Sequence, residues 1–256
     1  PVLKTRRCSD DVLKVLRSAI ISGSTLKLIG QLDRAMYTKV NKAIDAIGGK
    51  WDRKEQCHVF SITPQELADD MEGLLTTGEF RSLADYGAFY TPPAVVKQMA
   101  ELAGPAKKVA GAPVYGLEPS AGDGRIADAL AQLVGGKQFV DCVEIRESVA
   151  AELATKGYRT VTAGAFEEFR PVDKYARILM NPPFLRNVWA KHVKRAHSML
   201  ATGGVLVSVV PSSIKFSSYS LVTELRDLAS DVIDLPDGTF SQAGTEVGTR
   251  LLVLKG

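Results

Sequence analysis

The chain has few of the residues that hold folds together covalently or through metal ions. Its three cysteines, Cys8, Cys57 and Cys142, are isolated and odd in number, which argues against a disulfide framework or a zinc cluster and favours a reducing compartment. No stretch approaches the ~20 consecutive apolar residues of a membrane helix, and the N-terminus has no apolar signal-peptide core. We therefore expect a cytoplasmic protein without membrane association or a metal site. Its 256 residues suffice for one large domain, or for a medium domain and a small one.

Positive charge is concentrated at the start of the chain. Residues 1–60 contain 12 Lys and Arg against six Asp and Glu, whereas the remaining residues contain 20 against 23. A basic segment attached to a mildly acidic body is typical of a module that faces nucleic acid. A solvated, lysine-rich surface is the alternative explanation.

The apolar pattern of this basic segment predicts a helix, a strand, a second helix and a hairpin. Apolar residues at helical spacing indicate helices over 10–21 and 33–47, with a short strand at 24–29 between them. Strand-like pieces at 50–52 and 58–62 flank a polar turn, and a further helix is expected over 64–75. This order resembles a winged-helix module, which we place at residues 1–78; a packing or dimerisation domain is the alternative. The candidate DNA contacts are Lys39, Lys42, Lys50, Trp51, Arg53 and Lys54.

From about residue 80 the chain alternates strands and helices, which predicts an α/β domain over 79–256 with a mostly parallel sheet covered by helices on both faces. Two final strands without a long helix between them predict a terminal antiparallel hairpin. The expected strands are 114–117, 139–143, 160–162, 176–180, 205–210, 231–235 and 249–254, and the expected helices are 94–102, 126–133, 147–156 and 188–200.

The first strand of this domain runs into a glycine loop, Glu118-Pro119-Ser120-Ala121-Gly122-Asp123-Gly124. Glycines let a ligand approach the backbone closely, so the loop indicates a nucleotide-like cofactor. The spacing G-x-G-x-x-G is absent, and Glu118 would repel a pyrophosphate. A carboxylate at this place instead favours a ligand that carries a cation, such as the amino group of S-adenosylmethionine.

Three further segments carry candidate binding residues. Glu144, followed by Ile145, ends the second strand and could accept hydrogen bonds from both ribose hydroxyls; a solvated acidic turn is the alternative. Phe166 follows the third strand and either flanks a bound adenine or belongs to the core. Phe89-Tyr90-Thr91-Pro92 precedes a helix, where Thr91 would be a good N-cap, or forms a lid against the methionine part of the cofactor.

Asn181-Pro182-Pro183-Phe184 follows the fourth strand. A polar amide, two prolines and an aromatic residue neither continue a strand nor begin a helix. They favour a rigid, concave lip that can grip a flat group bearing an amino nitrogen, although an Asn-Pro strand-to-loop turn gives the same pattern.

In this order, the lid, the glycine loop, Glu144 and Asn181-Pro182-Pro183-Phe184 resemble the S-adenosylmethionine-dependent DNA adenine-N6 methyltransferases, in the arrangement where the lid precedes the glycine loop. The resemblance covers about residues 80–256. Segments 236–240, 244–245 and 249–250 also resemble the terminal hairpin region of that family. One departure is Ala165, which occupies the place where the family commonly has an acidic residue for the cofactor's adenine amine. The main chain or Glu167 would have to take that role. No long insert resembles a target-recognition domain.

The resemblance implies direct transfer of the methyl group of S-adenosylmethionine to N6 of an adenine flipped out of duplex DNA, which leaves S-adenosyl-L-homocysteine. Asn181 and the Pro182 carbonyl would accept the two hydrogens of the amine, Pro183 would stiffen the loop, and Phe184 would stack on the base. Further phosphate contacts are expected from Arg186 and Lys215. The implied cofactor-binding residues are Phe89, Tyr90, Thr91, Pro92, Glu118, Pro119, Ser120, Gly122, Gly124, Glu144, Ile145, Ala165, Phe166 and Asn181.

These expectations leave two alternatives open. The Asn-Pro-Pro-aromatic segment also suits enzymes that methylate an RNA base amine or a glutamine side chain, and a non-catalytic DNA-binding protein could retain the same fold. Cytosine carbon-5 methylation is disfavoured, because the chain has no Pro-Cys nucleophile pair. We expect double-stranded DNA as the partner, location at the nucleoid when bound to it, and a homodimer if the recognised site is symmetric.

Overall fold

A computed structural model describes residues 6–60, 62, 64–80, 90–107, 112–184, 187–241 and 247–256. The chain divides into two compact units, Pro1–Ala88 and Phe89–Gly256, here called the N-terminal unit and the sheet unit. The sequence alone places this division at residue 78. None of the helices in the described ranges is long and apolar enough to cross a bilayer.

The N-terminal unit combines helices with a four-stranded antiparallel sheet in the order β2-β3-β5-β4. Two short outer strands, β1 and β6, pair with each other. The described elements are β1 (Arg6–Arg7), α1 (Asp10–Arg17), β2 (Ile20–Ser22), β3 (Thr25–Lys27), α2 (Arg34–Ala46), β4 (Gly49–Asp52), β5 (Cys57–Phe60), α3 (Pro64–Thr77) and β6 (Glu79–Phe80).

The helix predicted over 10–21 is wrong at its end. α1 stops at Arg17, and Ile20 and Ile21 lie in β2, which forms a hairpin with β3 through Gly23 (φ 57°). The two isoleucines continue the helical spacing of α1, but they are β-branched and a tight-turn glycine follows them, and these features favour a strand. The four-stranded sheet therefore has one strand more than the three that the sequence predicts, and the short pair β1 and β6 is also not predicted. The predicted β4–β5 hairpin is confirmed, with Trp51 opposite His58.

The sheet unit has seven strands in the order β9-β8-β7-β10-β11-β13-β12. Strands β7 to β11 are parallel, and β13 runs antiparallel to both neighbours, which confirms the predicted mostly parallel sheet with a terminal antiparallel hairpin. The described elements are α4 (Pro93–Ala103), β7 (Gly116–Glu118), α5 (Arg125–Val134), β8 (Val140–Glu144), α6 (Glu147–Ala154), β9 (Thr160–Ala163), β10 (Tyr175–Met180), α7 (Val188–His197), β11 (Leu200–Pro211), α8 (Ser220–Leu228), β12 (Asp231–Asp234) and β13 (Thr249–Lys255).

Two apolar clusters cover the two faces of this sheet. Leu179 contributes to the cluster built with α4, α5 and α6, whereas its neighbours Ile178 and Met180 contribute to the cluster built with α7 and α8. Successive strand residues face opposite sides, so each central strand serves both clusters. The helices that follow the strands consequently hold the strand ends in fixed positions. The helix α8 was not anticipated from the sequence.

Candidate active site

The glycine loop and the loop of residues 181–184, here called the amide loop, begin at neighbouring strand ends. β7 ends at Glu118, β10 ends at Met180, and the two strands pair in parallel with Ile178 opposite Leu117. From these ends the chain continues to helices on opposite faces of the sheet. Such a switch point in an open parallel sheet forms a crevice at the carboxyl edge, where ligands bind.

The described part of the lid meets both loops. Asn181 Nδ2 donates a hydrogen bond of 3.0 Å to Thr91 Oγ1, and Thr91 is 2% exposed. A Cβ atom at Gly122, whose φ is +51°, would lie 3.1 Å from the Tyr90 ring. Thr91 is not the helix N-cap, because α4 begins at Pro93 and Pro92 is its N-cap residue. The lid residues therefore contact the two loops that the sequence singled out.

Two arginines that the sequence did not single out hold Tyr90. Arg125 donates through Nη1 to the Thr91 carbonyl (3.0 Å), and its guanidinium lies 5.2 Å from the Tyr90 ring centre. Arg146 donates through Nη2 to the Tyr90 hydroxyl (3.3 Å) and through Nε to Glu144 Oε1 (3.1 Å). In the sequence, only their position points to a role in the site, since each arginine directly follows a predicted binding segment.

Glu144 ties the end of β8 to the glycine loop. Its Oε2 accepts from the Gly122 N–H (2.8 Å) and its Oε1 from the Arg146 N–H (3.0 Å). The carboxylate is buried rather than part of a solvated turn. It lies at the carboxyl edge, beside the loop that the sequence assigns to the cofactor. Ribose hydroxyls that bind there would donate to the Glu144 carboxylate, either alongside the Gly122 and Arg146 N–H groups or in their place.

Glu118 is a buried carboxyl group with one oxygen unsatisfied. Oε1 accepts from the Ser120 N–H (2.9 Å), whereas Oε2 has no hydrogen-bond partner among the described residues. Burial raises the pKa of Glu118 well above its ordinary value, the carboxylates of Glu144 and Asp123 raise it further, and the Ser120 N–H opposes the shift. A buried acceptor without a donor is unfavourable, so this oxygen is suited to a cationic or donor group of a ligand.

The loop that follows β9, residues 164–169, is here called the β9 loop. Phe166 is 3% exposed and packs edge-on against His192 (5.3 Å between ring centres) and in a stack with Phe169 (6.3 Å). Of its two alternatives, Phe166 therefore takes the core position. Glu167 Oε1 lies 3.0 Å from His192 Nε2, though not aligned as a hydrogen bond. Burial alone would raise the pKa of Glu167, but His192 lowers it overall. The carboxylate is thus engaged with α7, and Ala165 offers only its main chain.

The remaining amide-loop residues lie where the two apolar clusters meet. Pro182 is buried, and Asn181, Pro183 and Phe184 are half-buried. Phe184 packs against both clusters, so its ring lies across the carboxyl edge of the sheet rather than on one face. This arrangement gives the loop a fixed aromatic wall.

Those predicted DNA contacts that the structure describes are exposed, and two of them are ion-paired. In the N-terminal unit, Lys39 Nζ lies 3.2 Å from Asp11 Oδ2, and the Trp51 side chain is 43% exposed. In the sheet unit, Lys215 Nζ lies 2.7 Å from Asp234 Oδ2. The other four cations among the predicted contacts are exposed and have no ion pair among the described residues: Lys42, Lys50, Arg53 and Lys54. Phe89 and Arg186, together with residues 244–245, lie outside the described residues.

No protein-family model matches the sequence, and no curated protein matches it. Solved structures do match. A type I restriction-modification system methyltransferase subunit from Streptococcus thermophilus superimposes with a TM-score of 0.51 at 20% identity, covering 75% of this chain and 49% of that one. A protein assigned to the class I S-adenosylmethionine-dependent methyltransferases, from Listeria monocytogenes, has a TM-score of 0.49 at 14% identity, covering 64% of this chain and 60% of that one.

At these identities the similarity concerns the fold alone. The chain spans about half the length of the Streptococcus subunit and 60% of the Listeria protein. The parallel strands, the switch point between β7 and β10 and the inserted antiparallel β13 together define the architecture of the sheet unit. The sheet unit has the Rossmann-like α/β fold of methyltransferases.

Proposed function

We propose that the sheet unit is an S-adenosylmethionine-dependent methyltransferase that methylates the exocyclic N6 amine of adenine in duplex DNA. The observation that carries the proposal is the hydrogen bond from Asn181 Nδ2 to Thr91 Oγ1. This bond holds the amide at the end of β10, and the carbonyl oxygen Oδ1 is the acceptor atom of that amide. An acceptor held at the switch point of this fold suits a substrate amine.

The residues at the crevice fit the cofactor. The unsatisfied Oε2 of Glu118 can accept from the ammonium group of the methionine part, and Glu144 at the end of β8 can accept from ribose hydroxyls. Gly122, at positive φ, lets the loop turn tightly against the Tyr90 ring beside these two carboxyl groups. When bound, S-adenosylmethionine supplies an electrophilic methyl group on a sulfonium.

The amide loop would activate and orient the substrate. The exocyclic amine of adenine is a poor nucleophile, because its lone pair is delocalised into the ring. Asn181 Oδ1 and the Pro182 carbonyl accept hydrogen bonds from its two N–H groups, which draws the nitrogen toward a tetrahedral geometry and frees the lone pair. Acceptors fixed in advance stabilise the developing positive charge, and orientation lowers the barrier further.

The adenine must leave the duplex to reach this loop, at a cost of a few kcal/mol. Stacking on the fixed ring of Phe184 offsets this by ~1–3 kcal/mol. We assign duplex binding to the N-terminal unit, whose excess of positive charge lies within residues 1–60, with Lys42, Lys50, Arg53 and Lys54 as exposed phosphate contacts and Trp51 beside them. A homodimer on a symmetric DNA site is part of the same proposal.

Methyl transfer from tritiated cofactor to duplex DNA, RNA and protein tests the proposal. We expect label at N6 of adenine in duplex DNA. Label in RNA or on glutamine would replace the DNA assignment, and no transfer to any acceptor would overturn the enzymatic one.

Asn181→Ala tests the role of the amide. Transfer should fall by about 10²–10³-fold because one preorganised acceptor is lost, while binding of S-adenosyl-L-homocysteine stays within a few-fold. Asn187→Gly is the matched control, since Asn187 is an exposed asparagine with φ 62°, which glycine adopts readily. An Asn181→Ala enzyme with near wild-type activity would refute the mechanism.

A further inference from the structure

The β9 loop is held from outside the crevice by α7, the helix that follows the amide loop. Arg195 donates through Nε to the Phe166 carbonyl (3.1 Å) and through Nη2 to the Phe169 carbonyl. Its guanidinium also lies 5.4 Å from the Phe166 ring centre. One turn earlier on the same face, His192 meets the Phe166 ring and the Glu167 carboxylate. Two side chains of α7 thus fix both ends of segment 166–169.

The clamped loop lies where the cofactor's adenine is expected. The glycine loop ends β7, Glu144 ends β8 and the β9 loop ends β9, and these strands are neighbours in that order. A nucleoside whose ribose lies at Glu144 and whose methionine part lies at the glycine loop extends its base toward β9. Gly164 N–H donates to the Glu144 carbonyl (2.9 Å), which joins the β9 loop directly to the ribose position.

Side-chain recognition of the adenine amine is lacking on this loop. Ala165 has no polar group, and the Glu167 carboxylate is directed to His192. Within the described residues, no acceptor is recorded for the N–H groups of Ala165 and Phe166. The base would therefore be recognised by main-chain groups, and such recognition works only if the loop is rigid, because a backbone donor must lie within about 0.5 Å of its productive position.

We infer that Arg195 is a positioning residue for the cofactor's adenine, which replaces an acidic contact by holding the main chain of the β9 loop in place. The inference rests on the proposed cofactor. Because α7 begins just after the amide loop, the same helix positions the adenine end of the cofactor and the loop that receives the substrate amine. Arg195 itself touches neither ligand.

Calorimetry with two nucleosides tests this role without any methyl acceptor. S-adenosyl-L-homocysteine and its deaminated analogue, S-inosyl-L-homocysteine, differ only at the edge of the base. Arg195→Met keeps the aliphatic packing over Phe166 but loses both hydrogen bonds, and Arg195→Lys can reach only one carbonyl. We expect the preference for the adenine ligand to fall about tenfold in Arg195→Met and less in Arg195→Lys.

Lys194→Gln is the matched control, since Lys194 neighbours Arg195 on α7 and pairs with Glu224 of α8 rather than with the β9 loop. Its adenine preference should equal that of the wild type. Equal loss of affinity for both nucleosides in Arg195→Met, with their ratio unchanged, would overturn the inference, because a purely structural role weakens both. Wild-type protein that binds neither nucleoside would overturn the cofactor assignment instead, and methylation of RNA rather than DNA would leave the inference intact.

Discussion

Two buried carboxyl groups lie one register step apart on adjacent strands of the sheet unit, Asp141 on β8 and Glu118 on β7. Asp141 is 3% exposed. It accepts three hydrogen bonds of 2.8 Å each, from Arg159 Nε, Thr160 Oγ1 and the Tyr175 hydroxyl. Glu118, 0% exposed, accepts one bond from a backbone N–H, and its other oxygen has no described partner.

This difference separates a group that serves the fold from one that awaits a ligand. A buried carboxylate is tolerated when it is paired and hydrogen-bonded, and the environment of Asp141 meets both conditions. Glu118 has no ion-pair partner among the described residues and only one of its oxygens is hydrogen-bonded, and two further carboxylates lie close to it. This contrast supports the proposal that Glu118 binds a ligand, whereas Asp141 serves the fold.

The largest expected effect on stability concerns the satisfied group. Asp141→Ala should lower the free energy of unfolding by about 3 kcal/mol, because Arg159 and Tyr175 lose a buried acceptor. Urea denaturation measures this loss. Asp173→Ala is the control: Asp173 pairs with the same arginine (2.7 Å) but is more exposed, so its removal should lower the stability by less than about 1 kcal/mol. Equal losses in the two variants would contradict the distinction.

The opposite outcome is expected for the unsatisfied group. Glu118→Gln keeps the shape and removes the charge, so the free energy of unfolding at neutral pH should stay the same or rise by about 1 kcal/mol. Affinity for S-adenosyl-L-homocysteine should fall about 10–100-fold, since a charge-assisted hydrogen bond to the ligand ammonium is lost. Calorimetry with 5′-methylthioadenosine, which lacks the amino acid part, should show no change.

Glu147→Gln, an exposed change in the first turn of α6, provides the control for Glu118→Gln and should leave both affinities unaltered. If Glu118→Gln weakened methylthioadenosine as strongly as S-adenosyl-L-homocysteine, the carboxyl group would act on the loop rather than on the ammonium.

Much of the fold, and the grouping of the candidate site residues at one edge of the sheet, could be predicted from the sequence. Glycines, prolines and polar residues at strand ends mark where a buried strand meets solvent, and the carboxyl ends of parallel strands share one edge. Glu118, Glu144 and Asn181 could therefore be expected near one another. Local apolar spacing was less reliable: Ile20 and Ile21 continued a helical pattern but lie in β2.

The contacts that complete the site could not be predicted, because they depend on which side chains the fold brings together. Arg125 and Arg146 meet at Tyr90 from positions 35 and 56 residues further along the chain. Phe166 was equally compatible with the core and with the cofactor until α7 packed against it. The missing partner of Glu118 Oε2 likewise has no sequence signal, since hydrogen-bond satisfaction is a property of the packed structure.

The smallest expected effect is a pH dependence that follows from the raised pKa of Glu118. When the folded-state pKa of a carboxyl exceeds the unfolded one, the native state binds more protons between the two values, so stability falls as pH rises through that window. The window opens near the unfolded glutamate pKa of about 4.3 and extends upward. Urea denaturation of wild type and Glu118→Gln across this pH window should give a stability difference that grows with pH in favour of Glu118→Gln.

The affinity of the wild type for the cofactor should rise over the same pH range, because only the ionised carboxyl attracts an ammonium group. Glu144 and Asp123, whose carboxylates raise the pKa of Glu118, are present in both proteins. A stability difference that stayed constant with pH would mean that Glu118 is ionised throughout, and its unsatisfied oxygen would then need a donor supplied by the chain itself.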